Sequence, residues 1–124
     1  MIVIGRLGGG KFEQALFDGV WLMPCDSRRQ GGYHDGDLFW IPGPWRHEFP
    51  VAWGFDGQLI QSVNTFAMPW QFDGQVLKPD SDSLMKPWHF DGRLLKPCDA
   101  DESDQWLASA EVPLPVIMLC AGLI

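Results

Sequence analysis

Lys86-Pro-Trp-His-Phe-Asp-Gly-Arg-Leu-Leu-Lys-Pro97 contains the unit from which the rest of the chain can be read. Asp-Gly set between an aromatic and an aliphatic run is a strong hairpin signal, because glycine accepts the positive φ that a tight turn demands. The phrase returns upstream as Phe72-Asp-Gly-Gln-Val-Leu-Lys-Pro79, Phe55-Asp-Gly-Gln-Leu-Ile60, His34-Asp-Gly-Asp-Leu-Phe-Trp-Ile-Pro42 and Phe17-Asp-Gly-Val-Trp-Leu-Met-Pro24. Its aspartates stand at 18, 35, 56, 73 and 91, in steps of 17, 21, 17 and 18 residues. Recurrence at a near-constant spacing marks one supersecondary unit used repeatedly.

The repeats predict an all-β chain of about five tandem antiparallel hairpins on a 17–21-residue period, closing as a meander, barrel or sandwich. The turn residues are Asp18-Gly19, Asp35-Gly36, Asp56-Gly57, Asp73-Gly74 and Asp91-Gly92. The turns account for these aspartates, so they are not counted as catalytic acids. With Asp91 and Gly92 as the two loop residues, Phe90 faces Arg93, His89 faces Leu94 and Trp88 faces Leu95. Alternation then puts Trp88, Phe90, Arg93 and Leu95 on one face. The same logic groups Trp70 with Phe72 and Trp53 with Phe55, so one aromatic stripe is built three times. A three-residue loop with a glycine bulge would shift that register. Trp53, Phe55, Trp70, Phe72, Trp88 and Phe90 are therefore the candidate site. Buried, they form a core or a subunit interface; exposed, they form a platform on which sugar rings could stack.

At 124 residues the chain is read as a single domain, 1–124, with an apolar C-terminal segment, 112–124. A hydrophobic content of 46% is enough for a core, which argues against wholesale disorder. The formal charge of −7 repels phosphate backbones, so nucleic acid is not an expected partner. The segment Val112-Pro-Leu-Pro-Val-Ile-Met-Leu-Cys-Ala-Gly-Leu-Ile124 is shorter than the roughly 20 residues a membrane helix needs. Its two prolines argue against a helix, so it is expected as a final strand, buried in its own sheet or a neighbour's. One short helix is expected near 103–111, capped by Ser103. The N-terminal stretch lacks the pattern of a secretory leader, which predicts synthesis in a cytoplasm with reduced thiols. Whether Cys25 and Cys98, in the matching contexts Met23-Pro-Cys-Asp26 and Lys96-Pro-Cys-Asp99, pair with each other stays open.

Motifs for chemistry are sparse. Gly5-Arg-Leu-Gly-Gly-Gly-Lys11 approaches a phosphate-binding loop, but Phe12 stands where Ser or Thr would hold magnesium, and it is read as a glycine turn. His34, His47, His89 and the three cysteines lack paired ligand spacing, so no metal or cofactor is expected. No G-x-S-x-G elbow occurs, and no enzyme activity is expected. Asp80 with Asp82, and Asp99 with Asp101, Glu102 and Asp104, read as solvated connectors rather than calcium loops.

The phrase Lys86–Pro97 resembles the short aromatic-x-Asp/Asn-Gly hairpin repeats of bacteriophage tail and other virion proteins, which often end in Lys-Pro. The resemblance covers residues 50–97, and this chain has Phe where those repeats usually carry Trp before the Asp-Gly. Hairpin repeats of the MORN type are similar in outline but differ in glycine spacing. The resemblance implies a structural protein incorporated into a virion. The expected function is thus a non-enzymatic assembly protein whose aromatic faces and apolar C-terminus contact other subunits in a homo- or hetero-oligomer. The alternative is a small lectin-like module binding carbohydrate, with Trp53, Trp70 and Trp88 exposed.

Overall fold

Each Asp-Gly phrase reverses the chain, and the strands it joins are short. A computed structural model of the chain describes residues 1–10, 13–26, 28–42, 50–80, 86–98 and 104–124. Twelve strands run through them: β1 (Ile2–Arg6), β2 (Gln14–Phe17), β3 (Trp21–Pro24), β4 (Gly32–His34), β5 (Leu38–Ile41), β6 (Val51–Phe55), β7 (Leu59–Ser62), β8 (Trp70–Phe72), β9 (Val76–Pro79), β10 (Trp88–Phe90), β11 (Leu94–Pro97) and β12 (Trp106–Ala108). All pair antiparallel with their neighbours in sequence, and β1 pairs with both β2 and β12, so the sheet closes into a barrel. Lys11, Phe12, most of the spacer that follows Pro42, His47, Asp82, Asp99, Asp101, Glu102 and Ser103 lie outside the described residues.

The register differs from the expected one. Phe90 pairs with Leu95 and Trp88 with Pro97, in place of Arg93 and Leu95. The fourth hairpin matches, with Phe72 on Leu77 and Trp70 on Pro79, and the third sets Phe55 on Ile60 and Trp53 on Ser62. The cause is the turn. Asp91 pairs with Leu94, donating its N–H to the Leu94 carbonyl at 3.3 Å, so Gly92 and Arg93 form the tip. Glycine holds the first central position with φ of 98–104° in all five turns, a conformation other residues rarely adopt. The partner has moved by two residues, and a shift of two leaves the alternation intact. Trp88, Phe90 and Leu95 keep their common face, and Arg93 leaves it.

A sixth unit closes the ring. Trp53, Trp70, Trp88 and Trp106 stand 17, 18 and 18 residues apart, so Trp106 continues the period. Residues 104–111 do not form the expected helix; Trp106–Ala108 is a strand with both end residues buried. It pairs Trp106 with Arg6 and Ala108 with Ile4. Beyond that pair the Ser109 N–H donates to the Val3 carbonyl at 2.9 Å, and the Val3 N–H donates to Ser109 Oγ at 2.9 Å. These bonds repeat those of Asp91 and Leu94 in the fifth hairpin, with a hydroxyl in place of the carboxylate. The sixth hairpin is thus assembled from opposite ends of the sequence and has no covalent tip.

The C-terminal segment is a helix rather than a strand: α1, Leu114–Cys120. Pro113 occupies the N-cap and Pro115 the first turn, where a missing N–H costs nothing because no intrahelical acceptor is available. The helix ends at Gly122, φ +79°, where Gly122 and Leu123 donate to the carbonyls of Leu119 and Met118. Of its seven residues, all but Leu119 are buried. It packs on β6 and, from the other side of the ring, on β1 and β12. A helix buried on every face that touches opposite walls lies in the lumen. Eight strands give a barrel that side chains alone can fill; twelve leave a wider interior, and α1 occupies it.

Candidate functional site

The five turns share one bonding pattern. Oδ1 of each aspartate accepts backbone N–H groups two and three residues on: Val20 and Trp21 for Asp18, Asp37 and Leu38 for Asp35, Gln58 and Leu59 for Asp56, Gln75 and Val76 for Asp73, Arg93 and Leu94 for Asp91. Each carboxyl is held below the usual range, the farther N–H contributing most. Asp35 falls to about 2, because the Leu38 N–H is joined by the Trp40 indole Nε1–H, 3.0 Å from Oδ2. These groups are ionised at neutral pH and hold no proton to donate. They terminate the strands and ring one end of the barrel with negative charge.

The inner stripe belongs to the core, with Trp53, Trp70, Trp88 and Phe90 buried in it and Phe55 and Phe72 half-buried against it. Trp53, Trp70 and Trp88 are 5%, 2% and 5% exposed, and Trp106 matches them at 5%. The Phe55, Phe72 and Phe90 rings follow one another around the inner wall, with centroids 6.0 Å apart at both contacts, in tilted and edge-on geometry. Leu77, Leu95 and Ile60, opposite them, are fully buried. The platform expected at Trp53, Trp70 and Trp88 does not exist: all three indoles point at the lumen and its helix. The C-terminal segment is likewise spent on the barrel's own interior.

The outer wall carries aromatic residues that the repeat pattern did not single out. Since Phe17, Leu22, Phe39 and Ile41 are buried, alternation turns Leu16, Trp21, Met23, Tyr33 and Trp40 outward. Register places Trp21 beside Tyr33, and Tyr33 beside Trp40, across β3, β4 and β5. The Trp21 and Tyr33 rings lie 4.8 Å apart, and Trp21 is 55% exposed. Leu16 bridges Met23 and Val3 across β2, and Leu107 continues the surface onto β12. Not one outward position from β12 through β1 to β6 carries a charge. The outward positions of β8 to β11 are more polar, with Gln71, Lys78, His89 and Lys96.

At the end opposite the Asp-Gly turns, two of the six units lack their tryptophan. Ala15 pairs with Pro24 just as Trp88 pairs with Pro97, and Gly32 holds the equivalent place in the second unit. A side chain at Gly32 would meet the Phe39 ring at 2.3 Å. The space beside Ala15 is a cavity of about 430 Å³ lined by Arg6, Arg29, Asp104, Trp106, Cys120 and Ile124, among others. Arg29 reaches into it, 5.4 Å from the Trp106 ring centroid, and donates to the Cys120 carbonyl at 3.1 Å. Arg6 pairs there with Glu13 at 2.6 Å. Burial pushes the Cys120 thiol up to about 12, so it stays protonated. Cys25 and Cys98 are exposed and are not joined in a disulfide. Among the described residues there is no grouping of His, Cys, Asp and Glu that could hold a metal, and no helix is long and apolar enough to cross a membrane. No protein-family model, curated protein or solved structure matches this chain.

Proposed function

We propose that the chain is a non-enzymatic structural or assembly protein that docks to other protein subunits through the outward faces of β12 and β1 to β5. The observation that carries this reading is the uncharged, aromatic outer wall of a chain with a net charge of −7. Most acidic residues of such a protein are free to solvate its surface, yet among the described residues none of them stands on a strand. An exposed apolar surface of this kind marks an interaction site. The contact surface is therefore Val3, Leu16, Trp21, Met23, Tyr33 and Leu107, in place of the inner stripe and the C-terminal segment. The likeness of the hairpin phrase to phage virion repeats makes a virus particle the first assembly to examine.

Light scattering on the full chain across a concentration series tests the reading, wild type beside Trp21→Asp with Met23→Lys. The expected result is a wild-type oligomer and a variant of lower mass with the same circular dichroism. Masses indifferent to the substitutions would refute the wall as a self-contact. Trp21 fluorescence that then responded to saccharides would favour a carbohydrate-binding module, with Trp21, Tyr33 and Trp40 as its stacking surface.

A further inference from the structure

We infer that the cavity beside Ala15 binds a small flat aromatic acid, its ring in the place of the tryptophan that the first unit lacks and its carboxylate on Arg29. Trp70, Trp88 and Ala15 hold equivalent positions, each paired with the proline that ends the next strand. Going round the ring from Trp106, Ala15 is the next such position, and there a methyl group replaces an indole. The cavity beside it, about 430 Å³, falls within the usual range for small-molecule sites. The second unit offers no such room, because the Phe39 ring takes up the space a side chain at Gly32 would need. Trp106 forms one wall of the cavity, and Leu22, Leu119 and Ile124 supply aliphatic surface, so a flat ring finds both an aromatic neighbour and apolar contact.

The polar half of the site is Arg29. Its guanidinium lies 5.4 Å from the Trp106 ring centroid and spends one N–H on the Cys120 carbonyl at 3.1 Å, its only side-chain hydrogen bond among the described residues. A guanidinium carries five N–H groups in a planar fork, and the partner that fork matches is a carboxylate. Among the described residues no carboxylate is paired with Arg29, although the chain has a net charge of −7. The carboxylates close by are engaged elsewhere: Glu13 with Arg6 at 2.6 Å, Asp104 with both Arg6 and Lys86, and Asp26 with Arg28 at 3.0 Å. Arg6 is thereby neutralised, and Arg29 is left as the cation that faces the cavity. A bare anion would leave the apolar walls unused, and an uncharged ring would leave the guanidinium unpaired; one molecule with a ring and a carboxylate meets both demands. The cavity shares no residue with the contact surface on the outer wall, so the two readings can fail separately.

Isothermal titration calorimetry of the full chain with indole-3-acetate, an indole ring with a carboxylate attached, tests the inference, with indole and acetate as its separated halves. Four proteins are compared: wild type, Arg29→Met, Ala15→Trp, and the wall variant Trp21→Asp with Met23→Lys. Wild type and wall variant are expected to bind indole-3-acetate equally well, with indole weaker by about tenfold, the worth of a hydrogen bond to a charged group, and acetate not measurable. Arg29→Met should still bind indole but lose the preference for indole-3-acetate. An arginine that only braced α1 would weaken both ligands alike on removal, and that result overturns the inference. Ala15→Trp, which puts the repeat's own side chain into the cavity, should abolish binding of both at an unchanged circular dichroism; binding that survived it would place the ligand elsewhere and overturn the inference. Should Ala15→Trp fail to fold, the smaller change Ala15→Leu takes its place, with binding weakened several-fold as the expected result and unaltered binding as the refuting one. No binding of indole-3-acetate to wild type at millimolar concentration, equal affinity for indole and indole-3-acetate, or loss of binding in the wall variant also overturns it.

Discussion

Ile117 is the residue on which the luminal position of α1 is best tried. It is fully buried in a helix that touches β6 on one side and β1 and β12 on the other. Ile117→Ala removes three carbons, worth roughly 2.4 kcal/mol at about 0.8 kcal/mol each. The space left behind is walled by a closed barrel, whose strands cannot move inward without breaking ladder bonds. Collapse is therefore poor, and the cavity contribution brings the loss to roughly 4 kcal/mol, near the upper part of the range for such truncations. Against a total stability of roughly 5–15 kcal/mol, that is a large share.

The assay is guanidinium unfolding followed by tryptophan fluorescence, since Trp53, Trp70, Trp88 and Trp106 are buried beside the helix and report its environment. Trp21→Ala, on the outside, serves as the control and should change stability by no more than about 0.5 kcal/mol. A loss below about 1 kcal/mol for Ile117→Ala, or equal losses for the two variants, would refute the plugged barrel. A folded, fully stable chain lacking residues 113–124 would do the same.

Acid should weaken the turns in a defined window. The five turn carboxylates have folded pKa values below the ordinary one, so their contribution is complete above about pH 4 and is lost as pH falls toward the folded values. Melting temperature should accordingly decline between about pH 5 and 2, and Asp35→Asn, with Asp35 lowest at about 2, should flatten the acidic end of that decline. A melting temperature constant across the window would contradict the turn geometry. Ser109→Ala removes the acceptor of the Val3 N–H and should cost about 0.5–1 kcal/mol in urea unfolding, whereas Ser109→Asp, which restores the group used in the other turns, should cost less than Ser109→Ala. Thiol titration of native protein should find Cys25 and Cys98 and miss Cys120 until denaturant is added.

The hairpins and the inner stripe were legible because their causes are local. Asp-Gly fixes the turn wherever it falls, and alternation from Phe90 back to Trp88 needs no knowledge of the rest of the molecule. The exact pairing was not, since two loop readings of the same Asp-Gly-Arg-Leu differ only in which backbone groups the Asp91 carboxylate captures. Beyond one hairpin, legibility fell with distance along the chain. Ser109-Ala110 replaces Asp-Gly in the sixth unit, and its partner Val3 lies at the other end of the sequence; the spacing of Trp106 from Trp88 was the signal that could have found it. Pro113 and Pro115 read as helix breakers, yet a first turn tolerates proline, and only burial inside a ring explains a seven-residue helix holding together. The outer aromatic residues were missed because they do not repeat. Trp21, Tyr33 and Trp40 belong to the first two, least regular units, and their outward direction follows from Phe17, Leu22 and Phe39 facing in.

That irregularity bears on function. A repeat that only had to close a ring would gain by being uniform, and units three to six come close: each carries its inner tryptophan, and none puts an aromatic side chain on the outside of a strand. Units one and two depart on both faces at once. Inside, Ala15 and Gly32 replace the tryptophan; outside, Trp21, Tyr33 and Trp40 appear. The inner change has a structural role in giving Arg29 its place beside Trp106 and the end of α1. The outer change has none within the barrel, for an indole 55% exposed on Trp21 contributes little to folding and exposes apolar surface to water. A cost borne by one sector of the ring and not the others is what a docking surface looks like in a chain whose sheet edges, with the barrel closed, are all used up. The substitutions Trp21→Asp and Met23→Lys therefore separate the two roles cleanly: they should leave melting within a few degrees of wild type while removing association, and coupled loss of both would mean that the wall serves the fold after all.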